Sequence, residues 1–216
     1  MSNITPQPIL DYLATLRREP HARLAVIERE GRNEGLPLVH PDTGALLHVL
    51  ARGGGAARIL EIGTCLGYST LWLATALASG GTLMTMEYDA ARAARAREHF
   101  QAAGYGDRIS VIVGDAMRFL HKVAGPFDLI FQDSDKQLYE PMVDRLVELL
   151  RPGGMLVADN VLWNGEVVPG YVTEKKYSDE DTAAIIGFSK RIAADARLYT
   201  SFLQVGDGVS VSVKRA

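Results

Sequence analysis

Short runs of apolar residues alternate along most of the chain with longer stretches in which apolar positions recur every three or four residues. Arg58–Ile62, Thr82–Glu87, Ile109–Val113, Phe127–Gln132 and 155–158 are near-continuous apolar runs that end in glycine or an acid, as expected of strands buried on both faces. Between them the spacing predicts helices over 69–78, 90–103, 116–123 and about 137–150, with Pro152-Gly153-Gly154 as punctuation before the fifth strand. The first fifty residues are helical in pattern. Ile9, Leu10, Leu13 and Leu16 share one face, Leu24, Val26 and Ile27 another, and Asp42 after Pro41 is placed to cap a third helix that ends at Gly53-Gly54-Gly55. Near the end, Ser178 caps a helix reaching about residue 196, with Asp181 at its third position. Two strands, 198–205 and 209–213, then flank Gly206-Asp207-Gly208 as a hairpin. The expected fold is α/β: an open, doubly wound, mostly parallel sheet with an antiparallel C-terminal hairpin.

Composition narrows this further. With 216 residues, 47% of them apolar and 23% charged, the chain suits one domain (1–216), divided into a helical cap over 1–52 and an α/β core over 53–216. The balance of 23 Lys and Arg against 26 Asp and Glu disfavours general nucleic-acid binding. No apolar run is long enough to span a membrane, and Met1–Asp11 lacks the basic and apolar regions of a secretory leader. One cysteine, Cys65, excludes a disulfide framework. A cytoplasmic location is expected.

The first strand runs through Leu60-Glu61-Ile62-Gly63-Thr64-Cys65-Leu66-Gly67-Tyr68-Ser69 into its helix. Gly63 permits a sharp turn and close approach of a ligand, and Gly67 permits tight packing where the helix begins. The spacing is neither the G-x-G-x-x-G of a pyrophosphate cradle nor a phosphate loop. Glu87, ending the second strand, is placed to accept hydrogen bonds from both hydroxyls of a ribose. Asp115, after the third strand, suits either an adenine contact or the N-cap of the next helix.

Asp133, Asp135 and Lys136 close the fourth strand, and Asp159-Asn160 the fifth. Parallel neighbours lie roughly 4.8 Å apart, so these groups should meet at the mouth of the sheet. Two carboxylates and an amide oxygen there form a hard-oxygen set suited to Mg²⁺ or another divalent ion such as Mn²⁺. Taken singly, each acid is as well explained as a residue that ends a strand. The five histidines form no metal-ligand spacing, Cys65 reads as a small buried residue, and Arg92, Arg95 and Arg97 read as a solvated helix face.

The stretch from Ile59 to Val168 resembles the cation-dependent O-methyltransferases, the group of catechol and caffeoyl-CoA O-methyltransferases and small bacterial relatives. The matches are Leu60-Glu61-Ile62-Gly63 with Gly67-Tyr68-Ser69, Asp133-Ser134-Asp135-Lys136 with Tyr139, and Asp159-Asn160-Val161-Leu162-Trp163-Asn164-Gly165. The ending Gly206-Asp207-Gly208-Val209 is similar to the bacterial members. The resemblance implies a class I methyltransferase Rossmann-like fold. It implies Asp133, Asp159 and Asn160 as metal ligands, Lys136 as the catalytic base, and Glu61, Gly63, Ser69, Glu87 and Ala116 as S-adenosylmethionine contacts, with Asp115 and Asp133 bordering that cofactor. It places Trp163 and Asn164 beside the acceptor. Leu38 and His40 fall where the family often carries Met-x-Val, and His40 departs from that pattern. The resemblance also implies first helices that cap the acceptor site and share a homodimer interface.

The expected activity is O-methylation of a vicinal diphenol, a catechol-type small molecule, dependent on S-adenosylmethionine and Mg²⁺. The alternative with the same fold is methylation of a hydroxylated uridine in tRNA. A third reading, from another class, is a nucleoside-binding module without catalysis.

Overall fold

The computed structural model describes residues 5–216, so Met1 to Ile4, part of the stretch read for a leader, lie outside it. Seven strands form one sheet in the order β3-β2-β1-β4-β5-β7-β6. They are β1 (Arg58–Ile62), β2 (Thr82–Glu87), β3 (Ile109–Val113), β4 (Phe127–Gln132), β5 (Leu150–Ala158), β6 (Leu198–Leu203) and β7 (Val209–Lys214). The first five are parallel, and β7 runs antiparallel between β5 and β6. The expected doubly wound sheet and its antiparallel hairpin are both present.

Eight α-helices accompany the sheet among the described residues: α1 (Gln7–Leu16), α2 (Arg23–Asn33), α3 (Pro41–Gly53), α4 (Tyr68–Ala76), α5 (Ala90–Ala102), α6 (Ala116–Leu120), α7 (Tyr139–Leu149) and α8 (Asp179–Ala194). The two-residue period of the strands sorts the core. Ile59, Leu129, Phe131 and Val157 face a layer containing Leu24, Ile27, Leu47, Trp72 and Phe100. Their neighbours Leu60, Ile62, Ile130 and Leu156 face Leu120, Met142 and Leu146 on the other side. Both faces are covered, so the parallel strands are mostly apolar, with Glu61, Thr85 and Gln132 as buried polar exceptions. Thus α2 and α3 lend their buried residues to the same core as β1 and α4, whereas no residue of α1 is buried. Among the described residues no helix is long and apolar enough to cross a membrane.

Several boundaries depart from expectation, each for a local reason. Pro41 occupies the first turn of α3 and His40 is its cap, so Asp42 sits inside the helix and pairs with Arg17 at 2.7 Å. Helix α6 stops at Leu120, and α4 starts one residue early because Gly67, at φ 85°, forms its cap. The Phe100 ring fills the space a side chain on Gly67 would need. Pro152-Gly153-Gly154 does not precede β5 but lies within it. The register jumps from Phe127 opposite Leu150 to Leu129 opposite Met155, and the extra residues bulge outward. Ser178 caps α8 as expected, accepting the Asp181 N–H at 3.0 Å.

The arginines of α5 are not a plain solvated face. Arg95 forms ion pairs with Glu30 of α2 and with Glu34 at its C-cap, and Arg97 donates to the Val111 carbonyl at 2.9 Å. Arg92 lines the cleft described next.

Candidate active site

A cleft of about 890 Å³ opens at the carboxyl ends of β1, β2, β4 and β5, where an open parallel sheet reverses its strand order. Gly63 lies at its centre, with φ 101°, on the turn that leaves β1. A Cβ there would overlap the Asp133 carbonyl oxygen, so only glycine lets the ends of β1 and β4 close up.

At one end Glu87 is buried, and each of its carboxylate oxygens already accepts a backbone N–H: Cys65 at 2.7 Å and Asp89 at 2.9 Å. The carboxylate is thereby fixed at the cleft wall, with lone pairs left for a further donor. Glu61 does not line the cleft. It is fully buried behind the turn, accepting hydroxyl hydrogen bonds from Ser69 (2.7 Å), Thr85 (2.7 Å) and Thr70. Burial pushes its carboxyl up to about 7 despite those donors. Glu61 therefore braces Ser69 and Thr85 from beneath, while Ser69 itself lines the cleft. Asp115 does cap α6, accepting the Met117 N–H at 2.9 Å, and it lines the cleft together with Ala116. Leu38 and His40, on the link between α2 and α3, line it as well. Cys65 is half-buried, and burial raises its thiol to about 11, away from nucleophile chemistry.

At the other end the strand-end acids converge. Lys136 donates to Asp133 Oδ1 at 3.0 Å, to Asn160 Oδ1 at 2.6 Å and to the Tyr139 hydroxyl at 2.9 Å. Tyr139, wholly buried on α7, lies 3.3 Å from the carbonyl oxygens of Gln132 and Asp159 and so ties the ends of β4 and β5 together. Asp159 is 1% exposed, and its Oδ1 has no hydrogen-bond partner. Burial first, and the Asp133 charge second, push its carboxyl well above the carboxylate range. A buried carboxylate oxygen without a donor, facing a second carboxylate, is the environment a cation relieves. Among the described residues no three His, Cys, Asp or Glu side chains group as a metal site. The convergent set is instead two carboxylates and the Asn160 amide oxygen, and its hard-oxygen chemistry fits a divalent ion of the Mg²⁺ type.

Trp163 lines the cleft, stacked on Tyr177 with ring centroids 3.8 Å apart, and the Lys136 ammonium sits 5.6 Å from the indole centroid. Asn164, expected beside the acceptor, is buried and absent from the lining. Its N–H donates to Asp207 Oδ1 at 2.5 Å. Asp207, Tyr177, Asp181 and Arg92 line the cleft although the sequence pattern did not single them out as site residues. In the sequence Asp207 reads only as the acid between two glycines of the hairpin loop, Asp181 as a residue of a helix cap and Arg92 as part of a solvated helix face.

Comparison with known proteins gives a consistent family. The O-methyltransferase family profile matches residues 23–215. A catechol O-methyltransferase of Niastella koreensis is 41% identical over 180 residues, which cover 81% of each chain. Caffeoyl-CoA O-methyltransferase 2 of Zea mays is 33% identical, over 95% of this chain and 80% of that one. The crystal structure of an O-methyltransferase from Bacillus cereus in complex with SAH superposes with a TM-score of 0.83 at 32% identity, covering 95% of this chain and 96% of that one.

Proposed function

The chain belongs to the O-methyltransferase family, and from that premise we propose that it transfers a methyl group from S-adenosylmethionine to one hydroxyl of a small catechol, with a divalent cation. The observation that carries this reading is the Lys136–Asp133–Asn160 cluster beside the partnerless Asp159 oxygen.

In this reading Asp133, Asp159 and Asn160 hold the cation, whose contribution is a lowered pKa at the acceptor hydroxyl. Lys136 Nζ, acting as the neutral amine, takes the hydroxyl proton and becomes the ammonium, and Tyr139 holds the lysine over the site. The phenolate oxygen gains the methyl group and the donor leaves as S-adenosylhomocysteine. Glu87 receives the donor's ribose hydroxyls, and Gly63, Ser69, Asp115 and Ala116 shape the rest of its berth. Glu61 acts from behind, through Ser69. Trp163 and Tyr177 supply an aromatic wall against which a flat ring packs, and Asn164 holds that wall in place from the buried side.

The charge around the acceptor end supports a small acceptor over a polyanionic one. Asp133, Asp135, Asp159, Asp181 and Asp207 line that end, and Lys136 is its single lysine or arginine among the described residues. Arg92 lies at the other end, beside Cys65. A coenzyme A thioester or a tRNA would bring phosphates to an acidic rim. The paired arginines of α5 further weaken the tRNA reading, since Arg95 is already matched by two glutamates. A homodimer is part of this proposal, because α1 exposes Ile9, Tyr12, Leu13 and Leu16 along one face.

Methyl transfer from labelled donor tests the reading. Vicinal diphenols should be methylated in Mg²⁺ or Mn²⁺, monophenols slower by orders of magnitude, and excess EDTA should abolish turnover. Efficient methylation of tRNA with catechols untouched would overturn the acceptor assignment, and full turnover in chelator would overturn the cation. Light scattering at about 23.5 kDa would reject the dimer.

A further inference from the structure

The chain that leads into α8 carries one wall of the cleft. From Glu166 to Ser178 it forms neither helix nor strand. A cavity of about 410 Å³ lies between Val168 and Val172 on this loop and Thr182 and Ile186 on α8, so packing onto that helix does not hold the loop there. The Val168 N–H donates to the Gly165 carbonyl and the Tyr171 N–H to the Val168 carbonyl, both at 3.1 Å, which turns the first half. From Val172 to Tyr177, among the described residues, only the Lys176 N–H has a hydrogen-bond partner, and that partner is a side chain: Glu166 Oε1, at 2.7 Å.

Glu166 is 6% exposed, and its own N–H donates to the Trp163 carbonyl at 2.9 Å. One residue is thus bonded through its main chain to Trp163 and through its side chain to the neighbour of Tyr177. Those are the two rings that stack at 3.8 Å. On its other side Tyr177 adjoins Ser178, the N-cap of α8. Tyr177 therefore sits between two pinned residues, and Glu166 supplies one of the pins. Stability alone does not explain a carboxyl group here. Among the described residues its Oε2 has no hydrogen-bond partner, and a buried carboxyl oxygen without a donor carries a cost that an apolar side chain avoids. We infer that Glu166 is a positioning residue for the methyl acceptor: by holding the Lys176 N–H it keeps Tyr177 against Trp163, so that the aromatic wall is in place before a substrate arrives. The inference rests on the acceptor reading above, in which those two rings receive the substrate, and adds to it the anchor of the loop.

Two variants separate the hydrogen-bonding oxygen from mere bulk. Glu166→Leu fills similar space without that oxygen, and Glu166→Gln retains it. Exchange of the Lys176 amide hydrogen, followed by NMR, needs no turnover. It should quicken about tenfold or more in Glu166→Leu and stay within about threefold of wild type in Glu166→Gln. With a catechol as substrate, KM should rise about three- to tenfold in Glu166→Leu, the worth of an ordered aromatic contact, while kcat and S-adenosylhomocysteine affinity stay within about twofold. A Tyr177→Ala background should remove most of that rise, because Glu166 acts through Tyr177. Glu166→Ser, too short to reach the Lys176 N–H, replaces Glu166→Leu should the latter fail to fold. Unchanged exchange in Glu166→Leu, equal losses in Glu166→Leu and Glu166→Gln, or faster exchange with unchanged KM would overturn the inference. If the wild-type protein methylates no catechol, the acceptor reading falls, whereas the hold on Tyr177 is still decided by the exchange rates.

Discussion

The two ends of the cleft handle negative charge in opposite ways. Glu87 has an N–H on each oxygen, from the turns at Cys65 and Asp89, and Glu61 has three hydroxyls, two from the first turn of α4 and one from β2. At the acceptor end Asp133 and Asn160 share one lysine, and an oxygen of Asp159 has no donor. The first end is complete in itself and can receive a neutral, hydroxyl-rich group without rearranging. In the proposed reading the second is completed by positive charge from outside the chain. The same residue type, at equivalent strand ends, is preorganised in one place and left wanting in the other. Its neighbours decide which.

The largest effect should come from removing Lys136, the one lysine or arginine that lines the second end among the described residues. Lys136→Ala is expected to lower turnover by about 10²–10⁴-fold, the range for a lost general base, with cofactor affinity little changed. Part of the loss should return at higher pH, where hydroxide replaces the base. A fall in cofactor affinity matching the fall in turnover would merge the two ends functionally and break the contrast.

The next effect concerns pH. Glu61 rests at about 7 in the fold against roughly 4.5 when exposed. Between these values the folded state keeps a proton that the unfolded state releases, so stability falls as pH rises through the window and is fully reduced above it. The shift bounds the effect at about 3 kcal/mol. Urea unfolding of the ligand-free Glu61→Gln variant should lack this component, so its stability relative to wild type improves from pH 5 to pH 8. Parallel profiles would show that the three hydroxyls keep Glu61 ionised throughout. The smallest effect is expected at Glu87. Glu87→Ala should weaken S-adenosylmethionine by about ten- to a hundredfold, one charge-assisted hydrogen bond of about 1.5–3 kcal/mol. Mn²⁺ binding should be preserved, and unchanged calorimetric affinity for the donor would place the ribose contact elsewhere.

Much of this was legible in the sequence because parallel strands buried on both faces leave little freedom. Four of the five parallel strands begin and end where the apolar runs do. Asp133, Asp159 and Glu87 lie at the cleft because residues at the carboxyl ends of such strands have nowhere else to go. What escaped was set by distant parts of the chain. Pro152-Gly153-Gly154 reads as a break, yet the sheet continues past it because Asp128 on β4 holds Arg151 at 2.6 Å across the bulge. The arginines of α5 read as solvated because the glutamates that bind Arg95 sit on α2 and at its C-cap, with no periodicity linking them. Glu61 lies in the expected motif but faces away from the cleft, a matter of strand facing that one residue decides. The placement of Asp207 depends on β7 entering between β5 and β6, which the local pattern of a hairpin does not specify.

The pairing of β1 with β4 has a consequence for how the protein comes into being. β2 joins β1 and β3 joins β2 over short stretches of chain, as β5 joins β4, but Ile59 must find Leu129 across everything between them. Contacts distant in sequence form slowly, because chain entropy is lost before the contact rewards it. The five parallel strands are thus two locally wired groups and a seam, and along that seam Gly63 meets Asp133. A folding chain could hold both groups, with every motif already in its turn, and still have no place for a methyl group to cross from donor to acceptor. The catalyst comes into existence at the moment the seam closes.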